Sequence, residues 1–146
     1  MRIGIVVNPD AGLGGRLGFK GSDGRAKEAR AAGAEDRAGP RMGLCLEHLD
    51  QLLGSSLNRT QASLTLVGLS GRMGETWYYS KSVGEYSECI GATPSETKPQ
   101  DTIALVHQLI DANVDAILYA GGDGTTRDIV TALEQQGEAA QRIPLI

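Results

Sequence analysis

The chain has 146 residues, a length typical of a single domain, with 40% hydrophobic and 22% charged residues. This composition is neither that of a disordered chain nor that of a membrane protein, since no apolar run approaches the roughly 20 residues of a spanning helix. The 18 acidic and 14 basic residues give a net charge of −4 and are spread along the chain without basic clusters. We therefore expect neither a nucleic-acid nor a membrane partner.

The amino-terminal residues lack the features of a secretory signal. Arg2 is followed by an apolar stretch too short for such a signal, and no small-residue cleavage site follows. We interpret the stretch as a strand and expect a cytoplasmic protein. Cys45 and Cys89 are too few for a disulfide framework or a zinc site, which predicts two buried thiols.

The first third of the chain reads as a strand followed by two helices. Residues 2–8 form a continuous apolar run closed by Asn8-Pro9-Asp10, which predicts a strand buried on both faces. A short helix is predicted over 25–32, ended by Gly33. Pro40 opens a second helix that runs to Gly54. Its apolar stripe is expected to pack in the core: Met42, Cys45, Leu46, Leu49, Leu52 and Leu53.

The rest of the chain alternates strands with helices. The predicted elements are a strand over 64–68 with a turn to 74, a short strand over 87–90, an amphipathic helix over 102–113, a strand over 115–120, a helix over 126–136 and a final strand over 142–146. Helices alternating with apolar strands predict an α/β domain with a largely parallel sheet.

A glycine-rich segment follows the predicted strand over 115–120. Gly121-Gly122-Asp123-Gly124-Thr125 leads directly into a helix, so unpaired N–H groups and the positive helix end meet at the carboxyl edge of the sheet. Phosphate binds well in such places. The glycines would let backbone approach phosphate, and Thr125 or Thr126 would cap the helix or donate a hydroxyl. A plain βα turn, with Asp123 as its cap, is the structural alternative.

Asp123 is the unexpected member of this segment. A carboxylate repels phosphate, so its presence is explained if it holds Mg²⁺ or accepts a proton from an attacking hydroxyl.

Residues 8–15 form a second glycine-containing segment after a strand. They would lie at the same sheet edge and provide a second set of contacts to phosphate. The alternative that they form only a flexible turn is equally favoured. Neither segment is a standard nucleotide motif, because Leu17 stands where the dinucleotide fingerprint needs glycine, and Lys20-Gly21-Ser22 reverses the P-loop order.

Together, Asn8-Pro9 and Gly121-Gly122-Asp123-Gly124-Thr125 resemble the NAD kinase and diacylglycerol kinase superfamily. Residues 12–15, 20–24, 73–75 and 125–128 look like the ATP-NAD kinase branch that includes AcoX-like proteins. The resemblance implies a Rossmann-like three-layer domain. It also implies that Asp123 is the catalytic or metal-associated aspartate, with Mg²⁺ or another divalent cation. The phosphate-binding residues would be Asn8, Gly12, Gly14, Gly15, Gly121, Gly122, Gly124, Thr125 and Arg127.

The resemblance implies NAD and ATP as ligands, with ATP or polyphosphate as phosphoryl donor to the 2′-hydroxyl of NAD. The family's second, β-rich domain, with its Asn-Glu or Asn-Asp motif, would follow Ile146. We therefore expect residues 1–146 to be a single amino-terminal domain that is incomplete for catalysis. Two alternatives stay open: a non-catalytic nucleotide-binding or regulatory module of the AcoX-like type, and a relative of lipid kinases. The sequence also leaves a homo-oligomer open.

Overall fold

The structure is a computed structural model that describes residues 1–13, 26–56, 64–78 and 87–146. Predictions for Gly14, Gly15 and residues 20–24 lie outside the described residues. The described strands are β1 (Arg2–Val7), β2 (Thr65–Ser70), β3 (Ser87–Ala92) and β4 (Ala116–Ala120). The described helices are α1 (Ala26–Ala31), α2 (Ala38–Ser56), α3 (Pro99–Asp111) and α4 (Asp123–Gln135), with 3-10 turns at Glu75–Trp77 and Ala140–Arg142.

The sheet is parallel throughout its four strands, in the order β3-β2-β1-β4. In register, Ile3 lies beside Leu66 of β2 on one side and beside Ala116 of β4 on the other. The α/β domain with a largely parallel sheet that the sequence predicts is therefore confirmed.

Helices cover both faces of this sheet, which makes three layers. Ile3, Ile5 and Val7 of β1 pack with α2 in one core cluster. Val6 packs with α3 and α4 in the other. Because successive side chains of a strand point to opposite faces, the buried part of β1 needs apolar or small residues at every position, and Ile3 to Val7 provide them.

Several elements begin earlier than their apolar patterns predict. The Asp36 carboxylate accepts a hydrogen bond from the Gly39 N–H (3.0 Å), and α2 begins at Ala38. Asp101 likewise accepts from the Lys98 N–H (2.7 Å), with α3 beginning at Pro99. The predicted starts at 40 and 102 were wrong. Acidic residues near the helix start, and Pro99 in α3, allow each helix to begin before the first residue of its apolar pattern.

The final predicted strand, 142–146, is only partly correct. Arg142 closes a 3-10 turn, and the chain becomes extended after it. Pro144 and Ile146 then bond to β4, with Ile117 N–H donating to Pro144 O (2.9 Å) and Ile146 N–H to Ile117 O (2.9 Å). The pairing is parallel and lies on the side of β4 away from β1.

The prediction of two buried thiols was wrong, because Cys45 and Cys89 are both exposed. Cys89 lies on β3 at the edge of the sheet. Cys45 and Leu52 lie on one flank of the α2 stripe, while Met42 and Leu46 at its centre are buried. Apolar spacing alone does not distinguish the flank of a stripe from its centre. Among the described residues, no helix has the length and apolarity needed to cross a membrane.

Candidate functional site

The order of the strands places a crevice between β1 and β4. From β1 the chain adds β2 and β3 on one side, then returns to add β4 on the other. In open α/β sheets, ligands bind at the carboxyl ends of the strands where the order reverses in this way. The β1 turn (residues 8–13) and the glycine loop (residues 121–125) follow the paired residues Val7 and Ala120. The shared edge that the sequence predicts is thus confirmed for these residues.

Asn8 joins the two loops. Its Nδ2 donates to Thr125 Oγ1 (2.8 Å), and its backbone N–H donates to Ala120 O (2.9 Å). Its Oδ1 accepts from the Asp10 N–H (3.0 Å), which closes a local turn. Thr125 is 2% exposed, so its hydroxyl is buried beneath the surface of the site, where Asn8 contacts it. Both side chains fix the position of the glycine loop relative to β1.

The start of α4 differs from the predicted one, because the helix begins at Asp123 and not at Thr126. Neither threonine caps it: the N-cap is Gly122, without a side-chain hydrogen bond. The Thr126 hydroxyl instead bonds to the Tyr119 hydroxyl (3.0 Å) and to Gly122 O (3.3 Å). Since the first N–H groups of an α-helix have no acceptor within the helix, they remain directed out of the sheet edge.

The three glycines of the loop are not equivalent. A Cβ on Gly121 would lie 2.4 Å from the Thr125 side chain, so packing requires glycine there. At Gly122 and Gly124 a Cβ would meet nothing within 4 Å, and Gly122 has a φ of −108°. Glycine in a helix costs about 0.5–1 kcal/mol relative to alanine. Internal packing therefore explains Gly121 but not Gly122 or Gly124.

Asp123 is the first residue of α4, and its side chain is exposed. A carboxylate at this position interacts favourably with the positive end of the helix. Within the described ranges, no cluster of three or more His, Cys, Asp or Glu side chains could hold a metal ion. A divalent cation at Asp123 would therefore need oxygens from a ligand or water to complete its coordination.

The carboxylate of Asp10 is, by contrast, fully engaged. It forms an ion pair with Arg30, and its other oxygen accepts from Thr97 Oγ1 (2.7 Å). Arg30 also donates to Pro9 O (3.3 Å). These contacts tie the β1 turn to α1 and to the loop that follows β3. No local sequence pattern indicates these contacts, because the partners of Asp10 lie 20 and 87 residues away.

A groove of about 600 Å³ opens beside the glycine loop, between α2 and the end of β4. That volume is in the range of small-molecule sites. Gly12, Gly121 and Gly122 lie along it, and Arg37 and Arg41 contribute positive charge. Met42, Cys45, Leu118 and Ile146 give it an apolar wall. Sequence reasoning missed both arginines and treated Met42 and Cys45 as core alone.

The remaining predicted site residues are distributed as follows. Gly12 lines the groove and has a φ of +79°, a conformation that favours glycine. Arg127 is exposed on α4 and does not line the groove. Gly14 and Gly15 lie outside the described residues.

A family model described as ATP-NAD kinase N-terminal domain matches residues 3–146, nearly the whole chain. No curated protein and no solved structure matches.

Proposed function

The chain belongs to the ATP-NAD kinase family, and on that premise we propose that it binds the phosphates of an adenine nucleotide at the glycine loop. The family supports a kinase-like, nucleotide-binding role. The proposed reaction is phosphoryl transfer from ATP or polyphosphate to the 2′-hydroxyl of NAD, in the cytoplasm. We also assign the chain to the AcoX-like branch on its motifs, as part of this proposal.

The observation that carries the proposal is the open space at Gly122 and Gly124 beside an uncapped helix start. Without side chains there, phosphate oxygens can reach the N–H groups of the first turn of α4. The helix dipole adds attraction for negative charge. Glycine at 124, inside α4, has a stability cost that packing does not offset, and a bound phosphate would explain it.

Asp123 is proposed to act on the reacting groups. Mg²⁺ typically binds one or two protein carboxylates and fills its shell with water and substrate phosphates. Asp123 fits that mode because no described residue forms an ion pair with it, whereas Asp10 is held by Arg30 and Thr97. Bound Mg²⁺ supplies positive charge to the phosphoryl group. In the alternative role, without metal on its oxygens, the Asp123 carboxylate orients the acceptor hydroxyl and accepts its proton.

The other predicted residues have supporting roles in this proposal. Asn8 and Thr125 hold the loop in place through their hydrogen bond. Gly12 allows a ligand in the groove to contact the protein backbone, and Arg127 adds positive charge outside the groove. The same phosphate-binding role is proposed for Gly14 and Gly15.

We further propose that a second, β-rich domain completes the acceptor site, because the matching family model is that of an amino-terminal domain. Phosphoryl transfer depends on alignment of donor and acceptor, which contributes effective molarities of about 10⁵ to 10⁸ M. The 146-residue chain should therefore bind ADP with Mg²⁺, at about micromolar to millimolar Kd, yet make no NADP from NAD and ATP. NADP formation at an ordinary enzymatic rate would place the acceptor site within these residues.

The experiment that tests phosphate binding is a calorimetric titration of Gly122→Ala and Gly124→Ala with ADP and Mg²⁺. Each added methyl should weaken ADP binding by about tenfold or more, corresponding to the loss of one good hydrogen bond to charge. The control is Gly43→Ala in α2, where a Cβ would have its nearest neighbours 3.9 Å away, at Trp77. It makes the same chemical change away from the loop, so ADP affinity should be unchanged. Wild-type ADP affinity in both loop variants would show that phosphate does not bind at the glycine loop. Binding without turnover in the full-length protein would favour the non-catalytic, AcoX-like alternative.

A further inference from the structure

The groove beside the glycine loop carries a charge pattern that its location alone does not explain. Among the residues that the structure describes, its charged lining side chains are Arg37 and Arg41 and no acidic residue lines it, although the chain as a whole has a net charge of −4. Among the described residues, neither guanidinium has an ion-pair or hydrogen-bond partner. The groove is therefore a local concentration of positive charge on an acidic protein.

Both arginines lie at the start of α2, Arg37 directly before its first residue and Arg41 in its first turn. They stand four positions apart, and the Arg41 N–H donates to Arg37 O (3.4 Å), so their side chains leave the helix about one turn apart. Guanidinium groups at that spacing can contact neighbouring phosphates, each with two parallel N–H donors.

Packing fixes the start of α2 against the rest of the domain. Gly39 lies so close to the Trp77 indole that a Cβ would be 1.9 Å from a ring carbon. Trp77 is itself held by donation from Nε1 to Arg72 O (2.8 Å). The Asp36 carboxylate caps the Gly39 N–H, so this acid is engaged next to Arg37. The two arginines thus extend from a fixed helix start.

The groove also continues to the glycine loop and offers apolar contact. Gly121 and Gly122 lie along it, so one ligand can reach both the loop and the arginines. Leu118 and Ile146, which are partly or fully exposed, provide surface for a flat ring. Positive charge beside an apolar wall is the chemistry that recognises a nucleoside carrying more than one phosphate.

We infer that Arg37 and Arg41 form a second phosphate-binding element, which acts with the glycine loop to select nucleoside di- and triphosphates. This inference rests on the proposed nucleotide site and adds the residues that would make it selective. A nucleoside without phosphate gains nothing from the arginines, whereas a polyphosphate chain spans the groove between them and Gly122.

The test compares Arg37→Ala, Arg41→Ala and the double variant with Arg142→Ala. Arg142 is exposed on the 3-10 turn beyond α4 and does not line the groove, so it controls for loss of charge. Calorimetry with ADP and Mg²⁺ should show binding weakened about tenfold for each groove arginine and unchanged for Arg142→Ala. Adenosine affinity should be equal in all variants. The salt dependence of ADP binding should be shallower in the double variant.

The two exposed cysteines give an independent readout in the same molecule. Cys45 lines the groove, whereas Cys89 lies on edge strand β3. ADP with Mg²⁺ should slow the alkylation of Cys45 and leave that of Cys89 unchanged. In the double arginine variant, the protection at a fixed ADP concentration should decrease.

The outcomes separate this inference from the proposed function. If the arginine variants bind ADP as wild type does while Gly124→Ala binds weakly, the glycine loop remains the phosphate site and the inference is wrong. Protection of Cys45 that persists unchanged in the double variant would also overturn it, because the apolar wall alone would then hold the ligand. If the wild-type chain binds no ADP, the proposed function fails and this inference fails with it.

Discussion

The β1 turn and the glycine loop leave neighbouring strands at the same edge of the sheet, yet their polar groups are used in opposite ways. In the β1 turn, Asn8 is bonded to Thr125 and Asp10 to Arg30 and Thr97. In the glycine loop, Asp123 is exposed and no side chain caps the start of α4. The side chains of the β1 turn are tied to their surroundings, whereas in the glycine loop only Thr125 is tied and Asp123 is presented to solvent. Position at a binding edge therefore does not by itself identify the ligand-contacting residues.

The largest expected effect comes from comparing the two aspartates. Asp123→Asn in the full-length protein should lower turnover by about 10²- to 10⁴-fold, since it removes the proposed base or metal ligand while keeping its shape. Its free energy of unfolding should change by about 1 kcal/mol or less, because the side chain is exposed and loses only its interaction with the helix dipole. Steady-state kinetics and urea unfolding measure the two quantities.

Asp10→Asn is the matched control. It should cost about 1–2 kcal/mol of stability, because it leaves the half-buried Arg30 without its charged partner. Its effect on turnover should be smaller than that of Asp123→Asn. If the two variants exchange these behaviours, the assignment of one loop to support and the other to chemistry is reversed.

The glycines sharpen the comparison within the glycine loop itself. Gly121→Ala forces a methyl group against the Thr125 side chain and should destabilise the fold by about 1–3 kcal/mol. Gly122→Ala adds the same methyl to open space, so its cost should be smaller, about 1 kcal/mol or less, and should come from the weaker N-cap that alanine makes. Chemical denaturation of both variants without ligand provides the measurement. Equal losses of stability would show that glycine at 122 serves packing after all.

The hydrogen bond between Asn8 and Thr125 can be tested by a double-mutant cycle. Asn8→Ala and Thr125→Val each remove one partner, and each should cost about 1 kcal/mol of stability. Their coupling energy should be about 0.5–1.5 kcal/mol, because the two groups contact each other directly. Additive effects in urea unfolding would mean that the two loops are held together by other contacts.

Local sequence patterns predicted the strands and their shared edge, and they drew attention to the glycine loop. A β-branched run and a glycine cluster express structure over a few residues, so they are readable without the fold. The Arg30–Asp10 ion pair and the groove depend on contacts between distant segments. The position of Arg37 and Arg41 depends on how closely Gly39 approaches Trp77, which no local pattern shows. The exposure of Cys45 likewise follows from where α2 lies on the sheet.

The segment after β2 gives an effect that is absent at neutral pH, and it concerns support for the α2 side of the site. Tyr78 is 1% exposed and packs in the core cluster with Met42 and Leu46 of α2. Burial raises the pKa of its hydroxyl above the ordinary value of about 10, and the charge of Glu75 raises it further. The folded state therefore keeps the proton at pH values where the unfolded chain releases it.

The sign of the pH dependence follows from this difference in bound protons. Below about pH 10, both states hold the proton and Tyr78 contributes no pH dependence; above it, the folded state alone does, so stability falls by up to about 1.4 kcal/mol per pH unit. Tyr78→Phe cannot ionise, so its stability should decline less steeply between about pH 9 and about pH 11. Urea unfolding of both proteins across this range isolates the effect, because every other titrating group is shared. Parallel stability curves would mean that the Tyr78 hydroxyl reaches solvent in the folded protein. The start of α2 would then be less tightly packed than the Gly39–Trp77 contact indicates.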